Sequence, residues 1–158
     1  MMGNTIIKGL FVLSIAILIS FPTGCVNSAE KRNIEAVVRE YNVALMKAYE
    51  TLEFDALKGV TSQKQYNKVS VYIESYAGEG EKIDAYLMKL NFIKIDIQGG
   101  SADAITSEKW EYEKVDIATG RVLAPKVIYD YEISYHLTRG NDKKWKVDML
   151  KIIKEKRT

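Results

Sequence analysis

The spacing of apolar residues changes once along this 158-residue chain, close to residue 80, and that change restricts the fold more than any single motif. From about Glu30 to Glu53, the residues Ile34, Val37, Val38, Tyr41, Leu45, Ala48 and Leu52 recur at intervals of three and four, which gathers them on one face of a helix. Lys31, Glu35, Arg39, Asn42 and Glu50 fall on the other face and are expected in solvent. Asn27 and Glu30, three apart, read as a capping pair at the helix start. Asp55 to Gly59 forms a short helical turn closed by glycine. A further helix from about Ser62 to Tyr76 turns Tyr66, Val69, Ile73 and Tyr76 to one side before Gly78-Glu79-Gly80 stops it.

Beyond residue 80 the interval is two. Ile93, Ile95 and Ile97 alternate with Lys94 and Asp96, and Gly99-Gly100 marks a hairpin. Ala102, Ala104, Thr106, Glu108, Trp110 and Tyr112 then share one face, with Asp103, Ser107, Lys109, Glu111 and Glu113 on the other. After a turn at 116–120, Val127, Tyr129, Tyr131, Ile133, Tyr135 and Leu137 alternate with Asp130, Glu132, Ser134, His136 and Thr138. Gly140-Asn141-Asp142 leads into Trp145, Val147 and Met149. Four strands with one apolar and one polar face need a cover, and the amphipathic helices supply it. The expected fold class is α+β, with N-terminal helices packed in a curved antiparallel sheet.

The first residues have a different character. Lys8 precedes an uncharged stretch, Gly9 to Phe21, laid out like an export signal and short of the roughly 20 apolar residues of a spanning helix. Pro22-Thr23-Gly24-Cys25 follows it and resembles the bacterial lipobox, with Pro22 where that pattern has Leu. The resemblance implies that the Cys25 thiol is diacylated and that Cys25 becomes the first mature residue. Ordinary signal cleavage near 27–29 and an uncleaved anchor are the alternatives. All three place residues 30 to 158 outside the cytoplasm. The expected organisation is a lipoprotein-type signal at 1–24, a short tether at 25–30 and one domain at 31–158, anchored to the outer face of a bacterial membrane through Cys25.

Composition removes most catalytic chemistry. One Cys and one His exclude an internal disulfide, a multi-cysteine metal site and every motif built on a histidine pair, so no metal site and no cofactor are expected. A formal charge of +2 leaves no basic footprint for nucleic acid. His136 reads as an ordinary residue of the wet face. The basic run Lys151 to Arg157 reads as a solvated tail, and the glycines lack the strand, loop and helix setting of a phosphate cradle.

The order of elements over roughly residues 31–153 resembles the nuclear transport factor 2-like superfamily, a cystatin-like cone in which helices pack inside a strongly curved sheet. Thr106-Ser-Glu-Lys-Trp-Glu-Tyr112, Tyr131-Glu-Ile-Ser-Tyr135-His-Leu-Thr-Arg139 and Trp145-Lys-Val147 are most similar to the intermembrane-space domain of a chloroplast division protein family and its bacterial relatives. That resemblance implies a partner-recognition module, although the wider superfamily includes ketosteroid isomerases and polyketide cyclases, and the fold alone does not decide between them.

Glu108 is the one acid expected on a face with Trp110 and Tyr112, the face that lines a cone. In a binding module it is a buried carboxylate held by tyrosine hydroxyls or backbone donors. In an enzyme of the isomerase or cyclase type it serves as general base, with Tyr112, Tyr131 or Tyr135 donating to a developing oxyanion. The expected function is a non-catalytic, membrane-tethered binding domain for an envelope protein or a small apolar ligand, with Glu108, Trp110, Tyr112, Tyr131 and Tyr135 as pocket residues and the enzyme as the alternative.

Overall fold

A computed structural model describes residues 23–158, with side chains from Ser28 onward, so the export segment and the Cys25 thiol lie outside the described residues. Three helices, α1 (Thr23–Thr51), α2 (Asp55–Val60) and α3 (Gln63–Gly78), precede four strands, β1 (Glu81–Gln98), β2 (Ser101–Asp116), β3 (Val122–Arg139) and β4 (Trp145–Arg157). The strands form one antiparallel meander in the order β1-β2-β3-β4. The architecture is α+β, and the helices lie in the concave face of the curved sheet. Among the described residues no helix is long and apolar enough to cross a membrane.

The core forms where the two periodicities meet. Ile34, Val38, Tyr41, Ala44 and Ala48 of α1 are buried together with Ala102, Ala104, Ile133, Tyr135, Leu137 and Val147 of the sheet. Full burial of an aliphatic side chain of this size contributes about 1.5–3 kcal/mol. Leu57 of α2 and Val69 and Ile73 of α3 complete the packing. Ser62 caps α3 by accepting from the Gln65 backbone N–H at 3.2 Å. Its own N–H donates to the Val147 carbonyl at 2.9 Å, which fastens the α2–α3 link to β4.

Several expectations are corrected here. Helix α1 begins at Thr23 and runs through 25–30, so Asn27 lies inside the helix and not at its start. Glu30 instead pairs with Arg139 at the end of β3, whose guanidinium also lies 4.4 Å from the centre of the Trp145 ring. Asn42, assigned to the solvated face, is buried. The reason is phase: 42 stands four residues beyond Val38 and eight beyond Ile34, inside the stripe that packs on the sheet.

The strands are longer than the alternation suggests and broken by bulges. In β1 the register shifts between Leu87 and Lys89 and again between Phe92 and Lys94. The second shift turns Ile93 outward, 58% exposed, while Phe92 joins Ile95 and Ile97 against the core. A shift opposite His136/Leu137 does the same in β4: Met149 faces outward and Leu150 takes its inward place. The run read as a solvated tail is the second half of β4, paired from Ser134↔Lys151 to Tyr129↔Arg157. Each added residue bends its strand, and a curved sheet with an open concave face results.

Candidate functional site

Alternation along β2 places Thr106, Glu108, Trp110 and Tyr112 on the concave face, and alternation along β3 places Tyr129, Tyr131, Ile133 and Tyr135 beside them. The five pocket residues expected from the sequence, Glu108, Trp110, Tyr112, Tyr131 and Tyr135, all line one cavity of about 1020 Å³ between the helices and the sheet. They divide into a sealed floor and an open wall.

Glu108 forms the floor and is 1% exposed. Its Oε1 accepts from the Thr106 hydroxyl at 2.7 Å, from the Tyr135 hydroxyl at 2.7 Å and, more distantly, from Asn42 Nδ2 at 3.5 Å. Its Oε2 accepts from Trp110 Nε1 at 2.7 Å. The Tyr135 hydroxyl also lies 3.2 Å from Asn42 Oδ1. Thr106, Glu108 and Trp110 reach each other because residues two apart in a strand share a face, and Asn42 reaches them because α1 lies across that face. All four partners of the carboxylate are neutral donors. Among the described residues, no Lys, Arg or His nitrogen lies within salt-bridge distance of it. Beside this cluster the Tyr41 hydroxyl accepts from Gln65 Nε2 at 3.2 Å.

The wall is tyrosine. Tyr112 stacks on Trp110 with ring centres 5.8 Å apart, Tyr129 stacks on Tyr131 at 5.6 Å, and Tyr112 meets Tyr129 edge to face at 6.1 Å. Tyr49 of α1 and Tyr72 and Tyr76 of α3 close the opposite side. Burial, reinforced by neighbouring phenols, pushes the Tyr49 and Tyr112 hydroxyls well above the usual tyrosine range. Tyr131 is pushed up to about 12, by burial first and the Glu155 carboxylate second. These phenols are neutral in ordinary buffers.

The arrangement provides a large, mostly aromatic space for a guest. Glu108 is not a free base there: the donors around it engage both of its oxygens, and the Tyr135 hydroxyl, a candidate oxyanion donor, is committed to the carboxylate. His136 lies on the convex face with Nδ1 2.8 Å from Asp103 Oδ1, directly across from it in the ladder. Sequence reasoning missed Asn42, Tyr49, Tyr72 and Tyr129 as site residues. Asn42 was legible as an i, i+4, i+8 member of the Ile34, Val38 stripe; Tyr49 and Tyr72 line the space only because α1 and α3 close over it.

No protein-family model and no curated protein matches the sequence. Among solved structures, the fold is similar to the intermembrane space region of the chloroplast protein ARC6, with a TM-score of 0.68 and 15% identity over 77% of this chain and 94% of that one. It is also similar to a ketosteroid isomerase-like protein from Erwinia carotovora atroseptica, with a TM-score of 0.53 and 15% identity over 79% of this chain and 97% of that one. At such identities the likeness concerns the fold, and the fold that this chain shares with both is the nuclear transport factor 2-like cone.

Proposed function

We propose that this chain is an exported lipoprotein, held on the outer face of a bacterial membrane by acylated Cys25, whose cone cavity binds a small apolar ligand or an apolar segment of an envelope protein without transforming it. The observation that carries the binding reading is the pairing of a roomy tyrosine-walled cavity with a floor carboxylate already engaged by four donors. Sites for small molecules are concave, mostly apolar and furnished with a few fixed polar groups, which describes this space. The tether rests on the sequence: an apolar run followed by Cys25, with each buried acyl methylene adding about 0.8 kcal/mol and a second chain needed for stable anchoring.

A neutral, environment-sensitive dye such as Nile red tests the cavity. Saturable binding with enhanced emission, weakened several-fold by Tyr112→Leu, is expected; absence of saturable binding overturns the cavity reading. Fractionation tests the tether. Cys25→Ser is expected to move the protein from the membrane to the soluble fraction and to abolish incorporation of labelled fatty acid, and an unchanged membrane fraction without label in the parent protein overturns it.

The enzymatic alternative has one observation in its favour, the position of Glu108 under the cavity floor. A general base must reach the proton it removes, and here the carboxylate would first have to release the Tyr135 hydroxyl and the Trp110 indole. Non-catalytic binding requires no such rearrangement.

A further inference from the structure

The charge balance inside the cone is uneven. Glu108 is buried, receives hydrogen bonds only, and has no cation within reach among the described residues. A carboxylate can accept from all four of these groups at once. A buried anion is normally matched by a positive group, because its field falls off slowly where water is excluded. Its influence reaches the phenols around it. Burial is the first cause that raises Tyr41, Tyr112 and Tyr135, and the Glu108 charge adds to it in all three.

The walls above this floor are aromatic faces, which attract cations through the ring quadrupole. One wall ring already hosts a cation: Lys114 Nζ lies 5.4 Å from the Tyr76 ring centre while pairing with Glu81 at 2.7 Å. Glu113 and Glu155 are the other acids of the lining, and Lys68 its other base. Lys68 is exposed, and Lys114 is neutralised by its partner.

We infer that the cone cavity selects an organic cation, an alkylammonium or quaternary ammonium group carried on an apolar body, which seats its charge among the tyrosine faces above Glu108. This deepens the binding reading and rests on it. Neutral apolar surface fills the space, and the ammonium supplies the positive charge that the floor lacks. No bond is made or broken.

The test is competition against bound Nile red by choline and by its carbon isostere, in which the ammonium nitrogen is replaced by carbon, so that shape is held and charge removed. Choline is expected to displace the dye at about tenfold lower concentration than the isostere. Glu108→Gln, checked for folding by circular dichroism, is expected to shrink that preference. Tyr131→Leu removes a half-exposed wall ring and is expected to do the same should the floor variant fail to fold. Equal potency of the two competitors, no displacement by either, or a preference that persists in every folded variant overturns the inference. Dye binding with no charge preference leaves the cavity reading standing and removes only the cation, whereas loss of dye binding in the parent protein removes both.

Discussion

At the scale of single residues, the Glu108 cluster sets the character of the cone. Glu108→Gln replaces one acceptor oxygen with an amide nitrogen: turned toward Trp110 Nε1 it leaves the indole N–H without an acceptor, and turned toward the Thr106 and Tyr135 hydroxyls it takes the acceptor from the Asn42 amide N–H, while those hydroxyls can still donate to the Ile133 carbonyl and to Asn42 Oδ1. An unsatisfied buried donor costs about 1–3 kcal/mol, so the unfolding free energy is expected to fall by that amount, read as a lower urea midpoint with an unchanged slope. Asn42→Ala is expected to destabilise less, because its bond to Glu108 is 3.5 Å long, and the two changes should combine non-additively. The tyrosines give a pH prediction with a definite sign. Burial first raises Tyr41 from 10.0 to about 12, with Gln65 opposing it, so between those values the folded state keeps a proton that the unfolded state releases. Stability is therefore full below pH 10 and falls as pH rises from there toward 12; the urea midpoint followed by circular dichroism is expected to drop over that range, and a midpoint that stays level from pH 10 to 12 would contradict it. The carboxylate's place on the inner face was legible from alternation alone, since Glu108 stands two residues from Trp110. A tyrosine donor from β3 was legible too, but the Asn42 donor was not, because Asn42 is 66 positions away and only the crossing of α1 over β2 brings them together.

At the scale of elements, the bulges decide which side chains reach the cavity. Leu150 faces inward and Met149 outward because of a one-residue shift between His136 and Leu137, and strict alternation read through that point puts the wrong one of the pair inside. The end of β4 is a working part of the sheet. Lys154 pairs with Glu132 at 2.6 Å, Ile152 and Glu155 line the cavity, and the Thr158 N–H donates to the Ile128 carbonyl. Truncation after Leu150 removes the ladder from Lys151 to Arg157 and leaves that length of β3 as an edge. Faster amide exchange over 129–134 and weaker Nile red binding are expected; unchanged exchange there would show that this half of β4 supports nothing. The basic residues of this segment made it look like a tail because alternation of Lys with Ile resembles a solvated run until a partner strand is placed beside it.

At the scale of the whole molecule, the first buried core residue among the described ones is Ile34, and the first ion pair among them involves Glu30. A chain beginning at Ser28 is therefore expected to unfold at the same urea concentration as the full protein, and a large drop would mean that α1 needs its first turns for the domain's stability. Near-neutral net charge implies little long-range electrostatic steering of association. The sequence by itself determined the fold class, because the switch from a three-to-four interval to an interval of two is written in local spacing and needs no long-range information. It also determined which face of β2 and β3 turns inward. Only the tertiary structure decided that the inward face encloses a space instead of a filled core, and that the buried carboxylate inside it meets neutral donors and no cation. Both depend on how far the bulges bend the sheet and where α1 and α3 cross it, and those are properties of residues distant in sequence that meet only when the chain is folded.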